Sequence, residues 1–564
     1  MDKVWSFSTD EDGKIAALSK DLELSEIIAA LLINRGINNL EDAKMFFNPV
    51  EDQFHDPFLL ADMDKAVEII LSHVERNTHI LIYGDYDVDG TTAASILYLA
   101  LLELGARVTY YIPRRDEGYG LSSKGIDSAR QVGIGLVITC DCGITSHEEI
   151  DLAKSFGMGV IVTDHHEVTD TLPNADAVVN PKRPNSSYPF KFLSGAGVAL
   201  KVIQALRKHA MSDNWYAREY YDLAAFGTAA DIVPMTGENR VIVSLGLPVI
   251  FKRRRIGLKA LLDSSGFSKD KITLMDVVFN LAPRINAVGR IGEAREAVEL
   301  FTTNDPERAK QLANKFDQMN KERRGIDQKM YIEAEQQLLA RYDPDQPCGA
   351  VLYADGWHQG VIGIVASRLT EKYYRPTVMI SLDGDIGKGS GRSIPGFNLH
   401  AVLKECSDLL IGFGGHEQAG GLTIKRSNLQ DFVDKFDDVV TSKLTADLMT
   451  KKIKVEAILN FSDINRKLLK IIERLEPYGP ENARPVFVSK GALPAGEATI
   501  VGENHLKLKF KQKNRTIDAI GFNMAEQLTN VLNPPVGGMD IAYELEENSW
   551  NGNKYIQIIL KDLK

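Results

Sequence analysis

Three short acidic strings carry most of the chemistry this chain could perform. The first is Gly84-Asp85-Tyr86-Asp87-Val88-Asp89-Gly90, the second Asp141-Cys142-Gly143 and the third Asp164-His165-His166. Each directly follows an apolar run: HILIY, LVITC and MGVIVT. If those runs are neighbouring parallel strands, their tails share one sheet edge, and five aspartates and two histidines meet in a small volume. Carboxylates that close repel one another, and one or two divalent cations relieve the repulsion. Oxygen ligands with one or two imidazoles favour Mn²⁺ or Mg²⁺ over thiolate-preferring metals. A further acid, Asp231 in AAFGTAADIVP, stands among small residues that permit close packing against such a site. A single aspartate after a strand is ordinarily a helix cap or turn former. Three clusters at successive strand ends are poorly explained that way.

The elements that must position these residues follow from periodicity. From about residue 79, short apolar runs alternate with stretches of helical spacing such as TTAASILYLALLELG, LSSKGIDSARQVG and SHEEIDLAKSFG. Ser146 and Glu149 have the spacing of a capping box. Repeated βα units with short connections predict a doubly wound α/β domain, which binds ligands beyond the carboxyl ends of its strands. Residues 305–341 are charged and lack proline after Pro306, which predicts one long, exposed helix joining two lobes. A smaller α/β unit follows, with GAVLYAD, RPTVMISL and DIGKGSGRS as strands. From residue 452, short strands and the alternating run LKLKFKQ predict a small OB-like β-barrel. The expected domains are an N-terminal segment (1–60) packing on the catalytic lobe, a catalytic domain (61–304), a connecting helix (305–344), a second α/β domain (345–448) and the barrel (449–564).

A chain of 564 residues is too long for one core. The net charge of -11 argues mildly against a nucleic-acid coat protein but not against a nuclease, whose basic residues can be local. The N-terminus lacks the apolar stretch of a signal peptide, and no apolar run approaches the roughly 18–20 residues of a membrane span. A cytoplasmic protein with no membrane partner is expected. Four cysteines make no disulfide framework, and the Cys140/Cys142 spacing does not suit zinc.

The strings YGDYDVDG, DCG, DHH and GTAAD, in this order, resemble the four motifs of the DHH phosphoesterase superfamily. GWHQGVIGIVASRL (356–369), GKGSGRS (387–393) and GFGGHEQAGGL (412–422) resemble its companion DHHA1 domain. NLAPRINAVGRIGEA (280–294) and PYGPENARPVF (477–487) resemble the RecJ exonuclease family within that superfamily. The likeness spans nearly the whole chain. It implies a DHH parallel-sheet domain joined by a long helix to a smaller α/β DHHA1 domain, followed by an OB-like barrel. It also implies that Asp87, Asp89, Asp141, His165 and Asp231 bind metal. Asp85 is expected to support the first loop or orient the water. His166 is expected to touch the scissile phosphate, and Asp164 to fix a neighbouring imidazole. Asp85, Asp141 and His166 form the expected catalytic set, with Asp141 bridging two Mn²⁺ (or Mg²⁺) ions. Such a pair activates a water and clamps phosphate oxygens.

Two segments, Gly387–Ser393 and Gly412–Gly421, are glycine-rich and hold Ser390, Arg392, Ser393 and His416. As loops they would let backbone N–H groups and an arginine fork approach phosphate. The resemblance implies that Arg392, Ser393 and His416 contact phosphates near the cleaved end. Arg284, Asn286 and Arg290 are further candidates for contacting the strand, with a structural ion pair as the alternative for the arginines. Tyr119 and Ser122, beside Arg114 and Arg115, are candidates for lining the entrance, the tyrosine by stacking a base. Lys507, Lys509, Lys511 and Lys513 alternate, either as a nucleic-acid face or as guards of an edge strand.

The resemblance further implies a monomer that degrades single-stranded DNA from 5′ to 3′ in recombination and repair. A RecQ-like helicase and a single-strand-binding protein are the partners it suggests. The main alternative is a DHH-type phosphodiesterase of small nucleotides or short oligonucleotides. A family II pyrophosphatase would need a histidine where Tyr83 stands, and an inactive DNA-end scaffold would not need the full acidic set.

Overall fold

The computed structural model describes residues 3–7, 13–118, 120–343, 346, 348–550 and 553–564. The chain starts with strand β1 (Val4–Phe7) and the helices Lys14–Leu22, Glu26–Ile33 and Leu40–Phe47. A parallel sheet follows, made of β2 (Ile80–Gly84), β3 (Val108–Tyr111), β4 (Leu136–Cys140), β5 (Gly159–Thr163) and β6 (Ala177–Val179). Its spatial order is β3-β2-β4-β5-β6. Every residue of β2 and β4 is buried, as strands covered on both faces require. Register pairs Gly84 with Cys140 and Cys140 with Thr163, so the three acidic tails leave the sheet at one level.

The helix Pro306–Arg341 has 36 residues and is therefore about 54 Å long. Asp305 caps it by accepting from the N–H groups of Glu307 and Arg308. Its first half buries Leu312 and Phe316 in the catalytic core, and its second half buries Met330, Ala334 and Leu338 in the second lobe. Its buried stripe thus changes partner along its length, which suits a rigid spacer better than a free-standing linker.

The second lobe holds β7 (Ala350–Asp355), β8 (Thr377–Asp383), β9 (Ile386–Arg392), β10 (Leu410–Gly415) and β11 (Ala419–Lys425), in the order β10-β11-β9-β8-β7. The strand expected at DIGKGSGRS is present, and the structure corrects the reading of the same glycines as a phosphate-holding loop. Gly387, Gly389 and Gly391 lie within β9, where a Cβ would come within 2.8 Å of Ile380, Leu422 and Leu399 respectively. The glycines make room for large side chains on one face. Strand alternation then puts Lys388, Ser390 and Arg392 on the other face. Most of Gly412–Gly421 belongs to the β10/β11 hairpin.

The C-terminal unit begins with β12 (Lys452–Val455), which pairs in parallel with β1, and β13 (Ala457–Ile458). The strands β14 (Phe487–Val501), β15 (His505–Gln512), β16 (Arg515–Gly521), β17 (Met539–Trp550) and β18 (Asn553–Leu563) complete it. They pair as β14-β15-β16-β18-β17, and β17 returns to β14, closing a five-stranded barrel of OB type. Lys507, Lys509 and Lys511 are exposed on β15, while Lys513 falls in the turn beyond it.

The N-terminal segment also departs from expectation. Leu18, Ile28, Leu31 and Leu32 share a core with Leu468, Ile472, Phe510 and Tyr543 of the C-terminal unit. The early helices therefore pack on the barrel rather than the catalytic lobe, which receives Phe54 and Leu60. An apolar helix face shows that it will be buried without showing against what.

Candidate metal centre

Asp87 caps the helix Val88–Glu103, accepting from the Gly90 N–H at 2.9 Å. Asp89, in the first turn of that helix, accepts from the N–H groups of Gly195 (2.6 Å) and Ala196 (2.9 Å), at the start of the helix Gly195–His209. Asp141 follows β4 in a left-handed conformation, with φ 62°. The approach of the Gly195 backbone is so close that a Cβ there would lie 2.6 Å from the Asp141 Cβ. Asp231 is the C-terminal cap of the helix Tyr221–Ala230.

These elements converge on His165. Its Nε2 lies 3.0 Å from Asp141 Oδ1, 3.6 Å from Asp231 Oδ2 and 3.9 Å from Asp89 Oδ2. Three sets of potential ligand atoms each fall within 4.8 Å: Asp85/Asp87/Asp141, Asp141/His165/His166 and Asp89/His165/Asp231. Asp141 and His165 each belong to two of them. Asp85 Oδ1, His165 Nε2 and Asp231 Oδ2 are buried and make no hydrogen bond among the described residues. Buried polar atoms are normally paired, so His165 Nε2 and Asp231 Oδ2, left over and 3.6 Å apart, and Asp85 Oδ1 in its own acidic set fit cations.

Electrostatics agree. Burial, and then Asp87, push the Asp85 carboxyl well above the usual range. Burial, and then Asp89 and Asp87, do the same to Asp141 and Asp231. Asp89 is raised to about 7 by burial and Asp87, against the opposing bonds from Ala196 and Gly195. Burial, with His166 alongside, lowers His165 to about 3, which keeps its imidazole neutral and able to ligate. Asp164 accepts from the N–H groups of Ile144, His165 and His166 and contacts His166 Nδ1 at 2.7 Å. Burial opposes the outcome at both partners, but their bond and mutual charge lower Asp164 and raise His166.

A cleft of about 1170 Å³ opens beside the first acidic loop, at Tyr86, and is walled by both lobes. Arg114, Arg290, Ser390 and Arg392 line it, joined by Arg115, His358 and Lys388. Arg290 is lowered to about 10 by burial and by Arg115, Arg323 and Arg392, a crowding of like charge that a bound anion would relieve. Lys388 could have been read from alternation with Ser390 and Arg392. His358 carried no signal beyond its motif.

Other expected contacts lie elsewhere. Ser122 caps the helix Ser123–Gln131 and meets the buried Tyr83 hydroxyl at 3.3 Å. Arg284 is in a structural ion pair with Asp317, at 2.8 Å. Ser393 donates to the Phe397 carbonyl at 2.9 Å. Asn286 is half-buried, His416 is exposed at the β10/β11 turn, and neither lines the cleft. Tyr119 lies outside the described residues.

Comparison with known proteins places this geometry. Residues 79–228 match the DHH family N-terminal domain, 346–442 the DHHA1 domain and 455–562 the RecJ OB domain. Over 562 residues the chain is 37% identical to the single-stranded-DNA-specific exonuclease RecJ of Bacillus subtilis, covering 99% of this chain and 70% of that protein. The chain belongs to the RecJ family. Identity to RecJ of Escherichia coli is 33%, over 96% of both chains. The crystal structure of RecJ from Thermus thermophilus in complex with Mn²⁺ matches with a TM-score of 0.85 and 29% identity, over all of this chain and 79% of that one. A manganese-bound exonuclease RecJ matches with a TM-score of 0.60 and 34% identity, over 68% of this chain and 96% of that one. In this RecJ-family chain, Asp231, Arg290 and the long helix all fall between the DHH and DHHA1 matches.

Proposed function

We propose that this protein is a metal-dependent exodeoxyribonuclease specific for single-stranded DNA, cutting from the 5′ end in recombination and repair. The carrying observation is the juxtaposition of an acid–imidazole cluster with an arginine-lined cleft. The first suits cations and the second suits phosphate. The relatives' names and the two manganese-containing structures support the same reading.

The donor set fits two Mn²⁺ or Mg²⁺ ions. Asp87, Asp89, Asp141, His165 and Asp231 would hold them, with Asp141 shared because it belongs to two ligand groups. Two such ions supply an activated water and neutralise charge on the phosphate oxygens. The chain's own residues do the rest. Neutral His165 offers a lone pair, and the Gly195 and Ala196 N–H groups fix Asp89. Asp164 holds His166 by Nδ1 and so fixes the ring that is to meet the scissile phosphate. Asp85 orients the attacking water. Arg114, Arg290, Ser390 and Arg392 grip the strand's terminal phosphates. Partner helicase and single-strand-binding proteins would expose and present the strand. The exposed lysines of β15 would hold it further along.

A gel assay with Mn²⁺ tests the reading, using 5′- and 3′-labelled single strands, a blunt duplex and pyrophosphate. Rapid release of short product from the 5′-labelled single strand, with the duplex spared, is the expected result. Phosphate release from pyrophosphate with intact DNA would overturn it.

A further inference from the structure

The two helices that carry Asp89 and Asp231 share a feature at their other ends. Leu99 lies ten residues beyond Asp89, and Tyr221 ten residues before Asp231, about 15 Å in each case. Both line a second concavity, of about 710 Å³. Its apolar lining includes Leu99, Leu245, Val249 and Phe301. Arg218, Arg254, Arg255 and Asn304 add polar groups.

The acids of this pocket are already engaged. Glu51 pairs with Arg218 and accepts from the Tyr221 hydroxyl at 3.1 Å. Asp222 pairs with Arg255 at 2.8 Å, and Glu219 with Arg207. Arg253 pairs with Asp263, but Arg254, between two paired neighbours, has no side-chain partner among the described residues. The pocket therefore combines an apolar surface with one uncommitted guanidinium. That combination fits an anion with a flat apolar body, and the volume lies within the ordinary range for small-molecule sites.

We propose that this pocket binds a nucleoside 5′-monophosphate, base against the apolar wall and phosphate on Arg254, and that its occupancy alters the rate of DNA hydrolysis through the two helices. The choice of ligand rests on the exonuclease reading, because mononucleotides are the product class of stepwise strand degradation. The packing of the helices supports the coupling: a Cβ at Gly227 would lie 2.2 Å from Thr92 Oγ1 and 2.7 Å from Asp89 Oδ1, so displacement of one helix is felt by the other.

The test is calorimetric titration of the metal-free full-length protein with deoxyadenosine 5′-monophosphate, deoxyadenosine and inorganic phosphate. Wild type, Arg254→Glu and Arg392→Ala are compared. Arg254 is exposed, so its replacement should leave the fold intact. The monophosphate should bind wild type and Arg392→Ala, weaken about tenfold or more in Arg254→Glu, and outcompete both fragments. Added monophosphate should change the rate on labelled single strands for wild type but not Arg254→Glu. Binding that disappears in Arg392→Ala and survives in Arg254→Glu would place the ligand in the cleft and overturn the proposal. Absence of binding at about 10 mM would do the same. Binding through Arg254 with an unchanged rate would keep the site and overturn the coupling. If wild type degrades no DNA while binding through Arg254 persists, the exonuclease reading fails and the site stands.

Discussion

At the scale of single residues, Asp141 and Asp164 make different predictions although both are buried. Asp141 shares ligand sets with carboxylates and imidazoles, so Asp141→Ala should abolish hydrolysis with the circular dichroism spectrum unchanged. Asp164 acts through His166, and Asp164→Asn should lower the rate by about 10–100-fold. An unchanged rate in Asp164→Asn would show that His166 needs no positioning. Protons also report on the centre. In the metal-free protein Asp85, Asp89, Asp141 and Asp231 have folded pKa values above their unfolded ones. Each contributes stability that is complete below about pH 4 and lost as pH rises through the folded value, about 7 for Asp89. His165, lowered to about 3, opposes this below its unfolded value, but one group faces four. Metal-free protein should therefore lose stability from about pH 4 to 7, and Mn²⁺ should raise Tm more at pH 8 than at pH 5. A metal-induced gain independent of pH would contradict the acid cluster as the binding site.

At the scale of elements, β9 divides its labour between its two faces. Its glycine face serves packing and its Lys388/Ser390/Arg392 face serves the cleft. Arg392→Ala should raise KM for single strands about tenfold or more while metal content, measured by mass spectrometry, stays the same. Lost metal would mean that the cleft and the centre are one unit. The acidic tails were legible in the sequence because each follows an unmistakable buried strand and sheet register does the gathering. Asp231 was legible from the small residues before it. The fates of Ser122 and Arg284 were not, because their partners Tyr83 and Asp317 lie 39 and 33 residues away. Glycine-rich text was likewise ambiguous between a loop that approaches phosphate and a strand that yields space to leucines.

At the scale of the whole molecule, the barrel is not an appendage. The early helices and the barrel share one core, so removing residues 452–564 alone would expose Ile28, Leu31 and Leu32. That truncation should aggregate, and its lost DNA binding would say nothing about recognition. Lys507→Glu, Lys509→Glu and Lys511→Glu together are the cleaner test. They should weaken single-strand affinity and flatten its salt dependence by about one unit per lost phosphate contact, with turnover at saturation preserved. An unchanged salt slope would remove this face from the DNA path. The joint between this unit and the catalytic lobe includes the Met235 N–H bond to the Pro480 carbonyl, the Lys271–Glu476 pair and, most extensively, Arg240, whose guanidinium donates to the carbonyls of Leu475 and Glu476 at 2.9 Å and of Phe46 at 3.2 Å. Arg240→Ala leaves those carbonyls without their donor, at roughly 1–3 kcal/mol for each one that water does not reach. Because the interface links two separate cores, the loss should uncouple them, and calorimetry should resolve two unfolding transitions. A single transition shifted downward would instead show that the cores unfold together without this clamp.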